Sequence, residues 1–128
     1  LKKEELRQYR HLKREIEVIE QEIEGLRTSL LATPKLDGTP KGNGRPDRMA
    51  DTVAKIVDLV EVLNKSMWKM INLRADIEDC ISCLPVDKRL LMRLRYIEGL
   101  RWEAICVQMS YSWRQIHYIH NQILKQII

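Results

Sequence analysis

The feature that most limits what this chain can fold into is an unbroken heptad seam near its N-terminus. Leu12, Ile16, Ile19, Ile23, Leu26 and Leu30 stand four and three residues apart in strict alternation. A helix turns those positions onto one narrow stripe, whereas a strand would scatter them over both faces. Charged residues fill the other faces, and i,i+4 pairs such as Lys13–Glu17 offset like-charge neighbours such as Glu20–Glu24. Gly25 is the one weak position, at about 1 kcal/mol against alanine. Residues 2–31 are therefore expected to form one helix, roughly 45 Å long. Its single apolar stripe must be covered by another element.

The pattern stops between Ala32 and Arg48. The stretch TPKLDGTPKGNGRPDR holds three of the four prolines and three of the five glycines, too many breakers for a helix. An exposed loop is expected over 32–48, disordered about Gly42–Gly44. A second helix follows, with Asp47 or Asp51 as candidate N-cap. Val53, Ile56, Val60, Leu63, Met67 and Met70 repeat the three–four spacing, but Val57, Leu59, Val62 and Ile71 widen the stripe. Beyond Met70 it drifts to Leu73, Ile77, Ile81 and Leu84. Such a stripe suits a helix with more than one neighbour. The first helix folding back along it gives an antiparallel hairpin, with the C-terminal domain or a second copy on its other side. Trp68 reads as packing. Pro85 ends the helix, Asp87 is the expected cap of a third one over 88–97, and Leu90, Leu91, Leu94 and Ile97 form its apolar face. The fold class is all-α: a hairpin over 1–84 that mediates oligomerisation or partner binding, then a separate C-terminal domain over 85–128.

Charge separates the same two regions. Residues 1–84 hold 15 Lys/Arg and 15 Asp/Glu, whereas residues 85–128 hold 7 against 3, so the whole excess of +4 lies in the last 44 residues. His117 and His120 can add to it. A basic end on a neutral body points to a polyanion partner there.

That end also carries the motif. After Gly99, a short helix is expected from Trp102 to Met109, with Ala104, Ile105 and Met109 inward. Ser110–Tyr111–Ser112 makes a three-residue turn. A longer helix then starts from Ser112 as N-cap, with Ile116, Ile119 and Ile123 or Leu124 inward. Two helices joined by so short a turn read as a helix-turn-helix, whose second helix enters the major groove of double-stranded DNA. Trp113, Arg114, Gln115, His117, Tyr118 and Asn121 then face outward. Arg matches guanine, and Gln or Asn matches adenine, through paired hydrogen bonds. Arg101 and Lys125 suit phosphates, as does the helix N-terminus at Ser112.

The stretch LRYIEGLRWEAICVQMSYSWRQIHYIHNQIL resembles the region-4 domain of bacterial sigma factors, which reads the −35 promoter element. The resemblance rests on L-R-Y-x-x-G-L, then E-x-I, a turn ending in Ser, Ile116 and Ile119, and a terminal Leu. Over most of its length the chain resembles the ArpU/RinA-like phage regulators, whose SPxLDGxPKG-like loop is matched by TPKLDGTPKGNG. The resemblance implies a phage or prophage protein in the bacterial host cytoplasm, activating late-gene transcription, with host RNA polymerase as a further partner. Ile105–Cys106 and Ser110 stand where sigma factors carry Ile-Ala and Gly. Trp113 and Arg114 replace the usual basic–acidic pair, so a distinct phage operator is expected.

No cofactor, metal or catalytic residue is expected. There is no Gly-rich phosphate loop after a strand, no Ser/His/Asp order and no facing carboxylates. Asp76, Glu78 and Asp79 read as solvated surface beside Arg74. Cys80 and Cys83 form a CxxC, but the remaining candidate ligands lie on other helices, so they read as small buried apolar side chains. His117 and His120 lack companions for a metal. Three cysteines make no secreted disulfide framework. No run approaches a membrane span and residues 1–30 are too charged for a signal peptide, so a soluble cytoplasmic protein is expected. The chain begins at Leu1, and a natural start upstream is expected. Two rival readings remain: a DNA-packaging adaptor like a terminase small subunit, which forms rings, and a protein that binds sigma factor or polymerase without touching DNA.

Overall fold

A computed structural model describes residues 1–32 and 44–128, with 44–46 as backbone only, and every regular element among them is helical. They are α1 (Lys3–Leu31), α2 (Gly44–Ile81), α3 (Val86–Met92), a π-helical turn (Arg93–Ile97), α4 (Trp102–Met109) and α5 (Trp113–Ile127). The α1 and α2 helices pack in the manner of a hairpin. No helix among the described residues is long and apolar enough to cross a membrane.

The chain forms two compact units, one of Leu1–Lys13 with Lys69–Ile128 and the other of Arg14–Trp68. This division differs from a boundary at residues 84/85. Leu6 and Tyr9 of α1, with Ile77 and Ile81 of α2, are buried in the same core as Ile105, Ile116 and Ile123. Apolar surface at the start of α1 and at the end of α2 is therefore claimed by the C-terminal helices.

Within the unit Arg14–Trp68, Ile16 and Ile19 are buried and Ile23, Leu26 and Leu30 half-buried, as the heptad seam requires. On α2 the covered line is Ile56, Leu59, Leu63 and Ser66, and the Ser66 hydroxyl donates to Glu15 Oε1 at 3.5 Å. The stripe read from sequence is corrected here. Val53, Val60 and Met67 are exposed, because α2 carries two overlapping three–four patterns and only one lies under cover. Trp68, read as packing, is 65% exposed. The expected loop lies outside the described residues over 33–43. At its far end α2 already begins at Gly44, so Asp47 sits in the first turn and Asp51 deeper still. A helix tolerates Pro46 there, since first-turn N–H groups have no partner within the helix.

In the other unit, α3 begins at Val86 with Pro85 at the cap position, which places Asp87 inside the first turn instead of capping it. There its carboxylate faces the positive end of the helix dipole. The helix then widens. Glu98 N–H donates to Arg93 O and Leu100 N–H to Leu94 O, both at 2.9 Å, around Gly99 at φ +73°. A π turn advances the phase of the helix, so Met92 and Tyr96 join Leu91, Leu94 and Ile97 inside while Leu90 is left exposed. Glu78, expected to be plain solvated surface, grips Arg93 through both carboxylate oxygens, with a shortest contact of 2.6 Å. The Arg93 hydrogen bonds hold its carboxyl below the usual range. Cys80 is half-buried and its thiol lies 3.7 Å from Ile127 O, and burial pushes its pKa up. Cys83, by contrast, is exposed, against the reading of both as buried.

Two glycines should respond oppositely to alanine. A Cβ at Gly25 meets nothing within 4 Å, beside an open cleft lined by Glu22, Leu26 and Leu59, so Gly25→Ala should stabilise by about 1 kcal/mol. At Gly99 a Cβ meets only ordinary contact with Arg10 at 3.5 Å, so Gly99→Ala should cost the left-handed backbone strain alone, about 1–2 kcal/mol. Urea unfolding followed by circular dichroism reads both, and a lowered midpoint for Gly25→Ala would contradict the open space beside it.

Candidate nucleic-acid interface

Tight local closure positions α5. Ser110 ends α4 in the left-handed conformation (φ 57°, ψ 38°), and Tyr111 N–H donates to Cys106 O at 3.1 Å. A residue with a Cβ therefore occupies the conformation that glycine adopts most easily. Ser112 then caps α5: its hydroxyl accepts from Gln115 N–H at 3.2 Å, while its own N–H donates to Gln115 Oε1 at 3.1 Å. This reciprocal box fixes the first turn of α5. Ile116, His120 and Ile123 bury one face of the helix in the core.

The opposite face presents Arg114, Tyr118, Asn121 and Lys125 to solvent, with Tyr118 65% exposed. No carboxylate pairs with Arg114 or Lys125 among the described residues. Arg101 is exposed at the N-cap position of α4. Two of the nine residues picked from sequence are differently placed. Gln115 accepts the Ser112 N–H through its carbonyl oxygen, which ties the side chain back to the N-cap and leaves its amide N–H₂ and the second oxygen lone pair open. His117 is half-buried between Trp102 and Trp113, with ring centroids at 5.0 and 4.3 Å. Its Nε2 is buried with no hydrogen-bond partner among the described residues. Trp113 is half in contact with that ring and 54% exposed.

Beside α5 lies a cavity of about 290 Å³ that the sequence reading missed, lined by Lys3, Arg7, Arg10, His11, Arg95 and the rings of Tyr96, Trp102 and His120. Arg95 stacks over Trp102 at 4.6 Å and donates to Leu100 O at 3.0 Å. Burial, then the nearby Arg10 and Arg7 guanidinium groups, pull its pKa down. Like charges crowd this mouth, and none of Lys3, Arg7, Arg10 or Arg95 has a carboxylate within ion-pair distance among the described residues. An anion is the species such a cluster attracts. Summed over the compact unit Leu1–Lys13 and Lys69–Ile128, the sequence holds 14 Lys/Arg against 8 Asp/Glu, a net of +6. A linear window hid this, because the basic first turns of α1 were averaged with the acidic residues that follow.

No protein-family model, curated protein or solved structure matches the chain. No three His, Cys, Asp or Glu side chains among the described residues gather as a metal site.

His120 adds no charge to this surface at neutral pH. It is 7% exposed, hydrogen-bonded to the Tyr96 hydroxyl, and set edge-on to Trp102 at 4.6 Å. Burial, then Lys3, Arg95, His117 and Arg7, push its pKa down to about 4. Burial likewise raises that of Tyr96. Because the folded pKa lies below that of the unfolded chain, the unfolded state binds the proton more readily between them. Stability from this group is complete above about pH 6.5 and is lost as pH falls toward 4, in total roughly 3 kcal/mol at about 1.4 kcal/mol per unit. Thermal unfolding from pH 7 to 4.5 should show that decline. His120→Gln, which cannot titrate, should be less stable at pH 7 yet flatter across the window; an unchanged slope would mean that other groups carry the dependence.

Proposed function

We propose that the chain is a sequence-specific DNA-binding transcription regulator, with α4, its turn and α5 acting as a helix-turn-helix. One observation carries the reading: α5, anchored by Ile116, His120 and Ile123 and fixed by the Ser112–Gln115 box, presents an unpaired Arg114 with Tyr118 and Asn121 on its open face. In this reading Arg114 and Asn121 contact base edges. Arg101 and Lys125 contact phosphates, joined by Lys3, Arg7 and Arg10 at the rim of the basic cavity. Aromatic side chains at Trp113 and Tyr118 supply apolar contact to thymine methyl groups or sugars.

The resemblance to sigma region 4 and to the ArpU/RinA-like regulators extends this proposal to phage late genes in a bacterial cytoplasm, with activation through host RNA polymerase. A protein-docking role is favoured by one feature, the exposed apolar surface of Val107, Trp113 and Tyr118. Under that alternative the basic cavity would seat an acidic segment of polymerase or sigma factor.

Selection of bound duplexes from a random library, followed by fluorescence anisotropy at two salt concentrations, tests the proposal. Enrichment of one motif, bound about 10³-fold over scrambled DNA and weakened by salt, is expected. Arg114→Ala should then cost about 1–3 kcal/mol and flatten base preference. Lys125→Ala and Arg7→Ala should each weaken all duplexes alike and reduce the salt slope by about one unit. Equal, sequence-independent losses in all three would remove Arg114 from base reading. Failure to bind any duplex at low salt would leave the docking role.

A further inference from the structure

The α2 helix has two apolar lines within the unit Arg14–Trp68, and only one is covered. Ile56, Leu59, Leu63 and Ser66 form the covered line. The other is Val53, Val57, Val60, Asn64 and Met67, spaced four, three, four and three, and all five are exposed. That spacing is a heptad seam in its own right. Val57 and Asn64 fall at a positions; Val53, Val60 and Met67 fall at d positions. Trp68 borders the line at an e position, the most exposed tryptophan in the chain.

We propose that this line is a dimer seam, occupied by the same line of a second copy running parallel to it, with Asn64 opposite Asn64. Three features select a second copy over a foreign partner. The first is area. By their exposures these side chains present on the order of 600 Å² per chain, so pairing two removes at most about 1,200 Å² from water, which reaches the lower edge of stable specific interfaces. A single polar side chain in an apolar seam is the second. Asn carries both a donor and an acceptor, so two copies satisfy each other across a two-fold axis. Buried asparagine at an a position is the device by which parallel two-stranded coils select register and partner number. An antiparallel pairing sets a positions against d positions, which would face the Asn64 amide with Val60 or Met67 and leave it unsatisfied.

Charge is the third. The flanking e positions are Ala54, Glu61 and Trp68, and the facing g positions, Ile56 and Leu63, belong to the covered line. Glu61 is thus the one charged flank within this stretch, and in the parallel register its two copies lie on opposite sides of the seam. No like-charge contact opposes the pairing. With the α1 seam on each outer side, two hairpins meet as a four-helix arrangement. Both chains then leave the seam at the same end.

Sedimentation equilibrium of the full chain without DNA across the micromolar range tests this independently of any nucleic-acid role. A dimer of about 30 kDa, from chains of 15.2 kDa, is expected. Val60→Glu should convert it to monomer with an unchanged helical circular dichroism spectrum, since Val60 is exposed in the single chain. Asn64→Val should keep the association but broaden it to higher oligomers, as register control is lost. Orientation is read by Val60→Cys, which keeps Asn64, in a chain with Cys80, Cys83 and Cys106 changed to serine: oxidation should give a 60–60 cross-link in nearly all molecules. A monomer throughout, a ring of many copies, a dimer indifferent to Val60→Glu, or a dimer that does not cross-link through position 60 would each overturn the proposal.

Discussion

The fold of the C-terminal region depends on apolar burial that the region cannot supply for itself. The α4 helix is eight residues long and α5 fifteen, lengths at which an isolated helix is marginal in water. They are held because Ile105, Ile116 and Ile123 close on a core completed by Leu6 and Tyr9 from the start of α1, by Ile77 and Ile81 from the end of α2 and by Leu84 just beyond it. Gly99 and the π turn redirect the chain into that core, and the Glu78–Arg93 pair ties α2 to the turn. The placement of α5 is thus set by residues at both ends of the sequence.

The same packing gathers the charge. Because Leu6 and Tyr9 face inward, Lys3, Arg7 and Arg10 on the other sides of those turns are carried to the mouth of the cavity beside Arg95. Under them lies a layer of rings, Tyr96, Trp102 and His120, of which the histidine stays neutral. An imidazolium there would add a buried cation to three exposed ones and the half-buried Arg95. Keeping it neutral lets the basic rim exist over an apolar floor.

Much of this was legible before the structure, and the misses have physical causes. The Leu12–Leu30 seam, the short α4, the three-residue turn and Ser112 as cap follow from spacing and residue chemistry, and the structure has each of them. Leu6 and Tyr9 were overlooked because they sit among charges ahead of the regular seam. On α2 two seams share one helix, and spacing alone does not say which of them α1 covers. A π turn leaves no periodic mark, so Met92 and Tyr96 were missed and Leu90 was misplaced. Gln115 carries a readable signal for the capping box, Ser followed by Gln three residues later, and the structure forms that box. His117 was read as outward because the rings of Trp102 and Trp113 that flank it come from either side of the turn.

A core shared between the first turns of α1 and the last helix has a consequence for synthesis. The ribosome delivers Leu6 and Tyr9 roughly a hundred residues before Ile116 and Ile123, so the loop between them must close before that core gains anything. Residues 14–68, a compact unit of their own, have all emerged while the N-terminal turns still wait for their partners. During that interval Leu6 and Tyr9 lack the core that Ile105, Ile116 and Ile123 complete. Nascent chains of this protein therefore pass through a stage in which all of residues 14–68 are present and the basic cavity beside α5 does not yet exist.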